Sequence, residues 1–192
     1  GAYASRTTNQ RDGFFEKGYF PNEPGIIGSF GESEQIDFTN FGVKGGLTYK
    51  ITGKHLIDVN GSYFTKAPGI RTSFANPRQN NLIVRDLESE VIQSVDASYI
   101  FRSPIVKARL TGYYSNFTDG SSVNFFFSEA GAGLLQENMT NISRQNIGAE
   151  FGLEAQVTPT IKLKAAGSFG QFTFTNNPNV SYSTDEYYEL TF

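Results

Sequence analysis

Six segments of this chain alternate apolar and polar residues with a period of two, and that pattern limits the fold more than any other feature. Phe41, Val43, Gly45, Leu47, Tyr49 and Ile51 are apolar or Gly, with Gly42, Lys44, Gly46, Thr48 and Lys50 between them. Ile57, Val59, Gly61 and Tyr63 stand against Asp58, Asn60 and Ser62. Val91, Val95, Ala97, Tyr99 and Phe101 stand against Ser94, Asp96, Ser98 and Arg102. The pattern returns at Val106–Tyr114, Ile147–Val157 and Ile161–Phe169, with Lys107, Arg109, Glu150, Glu154, Lys162 and Lys164 among the polar positions. Successive side chains of a strand point to opposite faces, so each segment predicts a strand with one apolar and one polar face. Each runs to about ten residues or more, whereas strands of soluble proteins usually run about 5–6.

The turns fall into two kinds. Thr52-Gly53-Lys54, Arg102-Ser103-Pro104 and Thr158-Pro159-Thr160 are tight, and each joins two long strands. Long polar connections are expected near 66–88, 116–143 and 174–186. Short turns at one end and long loops at the other are the arrangement of an outer-membrane barrel. In lipid every backbone N–H and C=O must be paired within the protein, and a meander of tall hairpins does this. The expected fold is therefore all-β: an antiparallel meander of tall hairpins from a transmembrane β-barrel, forming one unit over 1–192.

Composition agrees with two-faced strands. The chain has 18 Phe and 10 Tyr, yet only 38% hydrophobic residues and a negative mean hydropathy of -0.34. Disordered chains are poor in aromatics. No run of 18 apolar residues predicts a transmembrane helix. The absence of Cys excludes disulfides and thiolate metal sites. A net charge of -3 lacks the basic excess of a nucleic-acid binder. The N-terminal Gly1-Ala2-Tyr3-Ala4-Ser5 has no signal-peptide pattern. Tyr188, Leu190 and Phe192 alternate at the other end like a closing barrel strand, or by chance.

No catalytic, cofactor or metal site is expected. His55, the single His, reads as a solvated turn residue. Glu150 and Glu154 share a strand face about 13 Å apart, too far to act on one bond. Ser89, Ser94 and Ser98 lack a nucleophile setting. Glu129-Ala130-Gly131-Ala132-Gly133 lacks a phosphate loop's context and reads as a loop tip. The Asn-x-Ser/Thr triplets at Asn60, Asn116, Asn138, Asn141 and Asn179 arise by chance in so polar a chain. The polar-face residues Lys44, Asp58, Asp96, Lys107, Arg109, Glu150, Glu154, Lys162 and Lys164 are expected to line a wet lumen. Arg71, Arg78, Asn80, Asn81 and Arg85, in the 66–88 loop, are candidate contacts for a polar or anionic ligand or a solvated face. Phe125, Phe126 and Phe127 are candidate aromatic contacts at the outer mouth, or the packed top of a tall strand.

Three segments carry a family resemblance. The first is Gly61-Ser62-Tyr63-Phe64-Thr65-Lys66-Ala67-Pro68 followed by Asn76-Pro77-Arg78-Gln79-Asn80-Asn81. The second is Asp96-Ala97-Ser98-Tyr99-Ile100-Phe101-Arg102-Ser103-Pro104 running into Gly112-Tyr113-Tyr114-Ser115-Asn116-Phe117-Thr118-Asp119. The third is Asn141-Ile142-Ser143-Arg144-Gln145-Asn146-Ile147-Gly148-Ala149-Glu150, with Thr158-Pro159-Thr160 and Gly167-Ser168-Phe169-Gly170-Gln171. In their order these resemble the barrel of TonB-dependent receptors, closest to those of the Bacteroidetes, over about 36–175. The resemblance implies import of a nutrient ligand across the bacterial outer membrane, with lipid around the barrel. It also implies the TonB complex as a partner through parts of the protein that this chain does not carry, because no plug domain is recognisable. A plugged transporter barrel has about 22 strands, so this chain reads as an incomplete barrel fragment from its C-terminal part. Two alternatives stay open: a complete eight-stranded outer-membrane barrel with a structural or adhesive role, and a soluble β-sandwich binding module.

Overall fold

The computed structural model describes residues 1–14, 28–128, 133–183, 190 and 191. All six predicted strands form: β4 (Ile36–Lys50), β5 (His55–Lys66), β6 (Glu90–Arg102), β7 (Val106–Ser128), β8 (Gly133–Gln156) and β9 (Lys162–Phe174). Around them lie β1 (Ala2–Asn9), β10 (Asn179–Ser183), β11 (Leu190–Thr191), and a small separate ladder of β2 (Asp12–Gly13) with β3 (Gly31–Glu32). One short helix, α1 (Ile70–Ser73), interrupts the loop between β5 and β6. The main sheet runs β1-β4-β5-β6-β7-β8 and then β10-β11, with β9 on the same edge of β8 as β10. All its pairings are antiparallel. The sheet is open among the described residues: β1 stands at one edge, and β9 at the other pairs only with β8.

Each tight turn uses a hydroxyl to hold its backbone. Thr52 Oγ1 accepts from the Lys54 and His55 amides, both at 3.2 Å. Ser103 Oγ accepts from the Val106 amide at 2.9 Å and donates to the Val106 carbonyl at 3.0 Å. Thr158 Oγ1 accepts from the Ile161 amide at 3.0 Å. Side-chain oxygens of Ser and Thr mimic a backbone turn in this way, which sets the register of the hairpin that follows.

The other ends differ from the sequence expectation in two places. The 116–143 segment is not a long connection. β7 and β8 pair up to Ser128 and Gly133, through register shifts at Phe117–Ser122 beside the left-handed Asp119 and near the left-handed Asn141. Polar residues there mark strands that rise beyond an apolar zone, and polarity does not stop ladder pairing. Nor does the chain leave the sheet throughout 174–186. It kinks after β9 and rejoins β8 as β10. Asn176 fastens the kink, accepting from the Ser143 amide at 2.9 Å and donating to the Asn141 carbonyl at 2.6 Å. Residues 129–132 of the Gly-rich stretch, and Tyr188 and Phe192 of the alternating C-terminal run, lie outside the described residues.

The loop between β5 and β6 shows which way the sheet bends. Asn9 on β1 donates to Ser73 Oγ at 2.8 Å and to the Pro68 carbonyl at 3.1 Å. Gln136 on β8 donates to the Phe74 carbonyl at 3.2 Å, and Asn138 to that of Ala75 at 3.0 Å. Five strand spacings, about 24 Å in a flat sheet, separate β1 from β8. Side chains stand roughly perpendicular to a sheet and cannot close that gap sideways. The sheet therefore curls around this loop. By register, Asn9 shares a face with Phe38 and Asn40, the one that carries Lys44 lower on β4, so the polar face is concave. The core sits here. Phe38, Phe74, Ala75 and Val84 are buried among a larger number of buried Asn, Ser, Thr and Gln.

On the concave face Tyr113 is opposite Gly148, and Gly148 opposite Gly170. A Cβ on Gly148 would meet Tyr113 Oη at 2.5 Å and the Phe169 carbonyl oxygen at 2.6 Å. The tyrosine lies over both strands because neither carries a side chain there. Gly148→Val should therefore lower unfolding free energy in detergent micelles by about 1–3 kcal/mol. Gly112→Ala, with nothing near its Cβ, should be neutral in the same denaturant titration.

Candidate functional site: the concave polar face

Cross-strand partners share a sheet face, so the register assigns every strand residue to one side. On the convex side lie the rows Leu47–Val59–Ala97–Gly112–Ala149–Phe169 and Tyr49–Ile57–Tyr99–Leu110–Phe151–Gly167. Val43, Val106, Leu153 and Leu163 fall on this side too. Ile161 lies just outside β9. The apolar positions run from Val106 to Tyr114 on β7 and from Ile147 to Ala155 on β8, and then stop together. The next convex row reads Tyr63–Gln93–Asn116–Gln145–Thr173.

His55 closes the tight turn, its carbonyl accepting from the Ile51 amide at 2.9 Å, and it also stands at the lower rim of this band. It is the first residue of β5, its Nδ1 lies 2.5 Å from Tyr99 Oη, and its ring centroid is 5.0 Å from that of Phe101. Sequence reasoning placed it in solvent because the two rings come from the neighbouring strand.

The concave face carries all nine polar residues expected to share a side. In descending order, Lys44 pairs with Ser62, Asn60 with Asp96, Thr48 with Asp58, and Thr111 with Glu150. Asn60 Nδ2 bridges the two acids, donating to Asp58 Oδ2 at 3.1 Å and to Asp96 Oδ1 at 3.0 Å. Arg109 Nη2 donates to Ser98 Oγ at 3.0 Å, and its Nε donates to Thr111 Oγ1 at 3.2 Å. At the tight-turn end runs Arg102–Lys107–Glu154–Lys164. Glu154 lies 3.1 Å from Lys162 Nζ, 3.6 Å from Lys164 and 3.7 Å from Lys107. Glu150 and Glu154 are thus not an acid–base pair, since the latter is occupied by three ammonium groups.

The rim under the loop was missed by sequence reasoning. There the row Phe64–Ile92–Phe117–Arg144–Phe174 crosses the polar face. Arg144 stacks on Phe117, 4.2 Å above the ring, and its Nη2 lies 3.4 Å from Glu90 Oε1. Arg144, Glu90 and Phe174 border, with Lys66 and Thr72, a cavity of about 440 Å³. Phe117 lies in the 116–143 stretch read as a connection and Arg144 directly after it, so neither received a face assignment.

The loop candidates divide. Arg71, Arg78 and Arg85 are exposed. Asn80 and Asn81 are buried and serve the loop itself: Asn80 Oδ1 accepts from the Leu82 amide, and Asn81 holds Arg11 and the Gly31 carbonyl. Phe125, Phe126 and Phe127 are all exposed, but alternation splits them. Phe125 is opposite the buried Gln136, whereas Phe126 is opposite Leu135 and meets the ring of Tyr182 edge-on. Among the described residues no cluster of His, Asp and Glu could hold a metal ion.

Above the apolar band on the convex side, Arg6 Nη2 lies 2.9 Å from Asp37 Oδ2. This bond, with one from Thr8, lowers the Asp37 pKa from 3.8 to about 2. A depressed carboxyl pKa gives stability that is complete above the ordinary range and is lost as pH falls through the folded value. In a carboxyl-resolved NMR titration Asp37 should protonate near pH 2, and Arg6→Ala should move that midpoint upward; an ordinary midpoint in the unsubstituted chain would refute the ion pair.

No protein family's sequence profile, no curated protein and no solved structure matches the chain.

Proposed function

We propose that this chain is a wall segment of a TonB-dependent receptor in the bacterial outer membrane, importing a nutrient ligand along its concave face. The observation that carries the membrane reading is the convex apolar band. Leu47, Leu110, Phe151, Leu163 and Phe169 are between 54% and 81% exposed. A transmembrane strand needs about 9–11 residues, and the band on β7 and β8 spans the nine positions Val106–Tyr114 and Ile147–Ala155. A soluble sandwich would cover such a face with a second sheet. An eight-stranded barrel would pair its first and last strands, whereas β1 and β9 stand on opposite edges. Support for the receptor, as against any other large barrel, comes from the three sequence segments given above. In this reading the TonB complex engages parts of the protein outside this chain, and the β5–β6 loop narrows the passage from the concave side.

Position along and across the band supplies the test. Leu110 lies midway between Val106 and Tyr114 on the convex side, and Thr111 is its concave neighbour. Leu110→Arg should destabilise the chain in phospholipid vesicles by about 2–4 kcal/mol, as for a cation at the bilayer midplane. Thr111→Arg should change stability by less than about 1 kcal/mol. Spin labels at positions 110 and 151 should collide with oxygen, and labels at 111 and 168 with a water-soluble nickel chelate. Equal water access on both faces would overturn the membrane reading. For the receptor itself, cross-linking in energised cells should join the parent protein to TonB, and its absence from the outer-membrane fraction would refute the assignment.

A further inference from the structure

The tight-turn end of the concave face has a charge distribution that wall-building does not explain. Arg102 lies directly opposite Lys107, a like-charge cross-strand pair. Such pairs destabilise a sheet. Lys107 and Lys164 flank Glu154 on either side, and Arg109 lies on the next row of the same face. Lys107, Lys162 and Lys164 surround the Glu154 carboxylate, and Arg102, Lys107, Arg109 and Lys164 border a single concavity of about 570 Å³ with it. Both lysine ammoniums stand 3.6–3.7 Å from Glu154, beyond good hydrogen-bond distance, which leaves their donors available. The Arg109 guanidinium spends Nε and Nη2 on the neutral hydroxyls of Ser98 and Thr111. These bonds fix its plane without neutralising it.

The floor of this concavity is small. Gly152 is opposite both Arg109 and Ala166. A Cβ built on Gly152 would meet no atom within 4 Å. Four residues nearer the loop, Tyr113 covers Gly148; here no side chain covers Gly152. The result is an open cradle with an uncovered glycine floor and a rim of two guanidinium and two ammonium groups.

We propose that this cradle binds a small polyvalent oxyanion, bearing phosphate or carboxylate groups, on the Gly152 floor between Arg102, Lys107, Arg109 and Lys164. An anion there relieves the Arg102–Lys107 repulsion and takes up the lysine donors that Glu154 does not reach. Glu154 then acts as a competing internal anion that keeps the lysines in place when the cradle is unliganded. The assignment needs only that the concave face meets water, so it is independent of the transport reading.

Inorganic pyrophosphate is the probe, titrated calorimetrically into the chain in non-ionic detergent at constant ionic strength. One saturable site per chain is expected. Gly152→Leu places a side chain in open space and should weaken binding by at least about tenfold while far-UV circular dichroism stays unchanged. The pair Lys107→Gln and Lys164→Gln should weaken it by a similar factor, as loss of two charge-assisted partners requires. Glu154→Gln removes the competitor and should tighten binding several-fold. Lys44→Gln, loss of one positive charge elsewhere on the concave face, should leave binding as it was. Overturning results are the absence of a saturable site in the unsubstituted chain, equal weakening by Lys44→Gln and the cradle substitutions, or undiminished binding in a folded Gly152→Leu chain.

Discussion

The register of the β5–β8 ladder is the constraint on which everything else rests. A slip by one residue between β6 and β7 would carry Arg109 to the convex side and Leu110 to the concave one. It would also break the rows that define both faces, since each is built from five or six strands. The register is set at the tight turns, where Thr52, Ser103 and Thr158 each bind the backbone just before the next strand begins. Three hydroxyl groups at one end of the sheet thus decide which residues meet at the other. The consequence reaches as far as the Arg102–Lys107 opposition, which follows directly from the turn at Ser103.

The strands were legible in the sequence because period two reports a property of the strand alone. A side chain's face follows from its parity, whatever its neighbours are. The nine polar residues that share the concave side were assigned in this way. Parity fails where the ladder carries an irregularity. Asp119 and Asn141 adopt left-handed backbone beside the register shifts of β7, and the alternation on either side no longer reads as one strand. Phe117 and Arg144 lie on the regular ladder just before that break, and they were missed because the polar run from 116 onward reads as a connection. The loop between β5 and β6 was opaque for a different reason. Nothing in Asn80 or Asn81 announces burial; Asn81 is held by the distant Arg11 and Gly31, and Asn80 by the Leu82 amide of its own loop. His55 sits at the turn as read, but its contacts with Tyr99 and Phe101 come from the next strand and were not legible.

The tall β7–β8 hairpin and the loop act together. The hairpin rises well beyond the apolar band, and its upper part offers Gln136 and Asn138 to the concave side. The loop crosses from there to Asn9 on β1. A curled sheet whose edges are held from within by amide side chains keeps its curvature without a second apolar layer. The buried groups are therefore mostly polar, and each bond across the loop ties strands that the ladder itself leaves far apart.

That arrangement changes what must stabilise the protein. A compact monomer of 21.2 kDa exposes about 9,000 Å², whereas this chain exposes 12430 Å². Four hydrophobic residues, Phe38, Phe74, Ala75 and Val84, are buried among the described residues. Apolar burial worth about 25 cal/mol per Å² normally offsets chain entropy, and so small an interior cannot supply it. The apolar area is present, but it points outward from Leu47 to Leu163 across five strand pairings. In the proposed setting lipid covers that face, and the same requirement applies to the outer edge of β9, whose unpaired backbone groups would each cost several kcal/mol in hydrocarbon. In that setting a sheet with an apolar exterior, a polar concavity and an edge that is open among the described residues would be completed by a larger closed wall, with its chemistry on the inside.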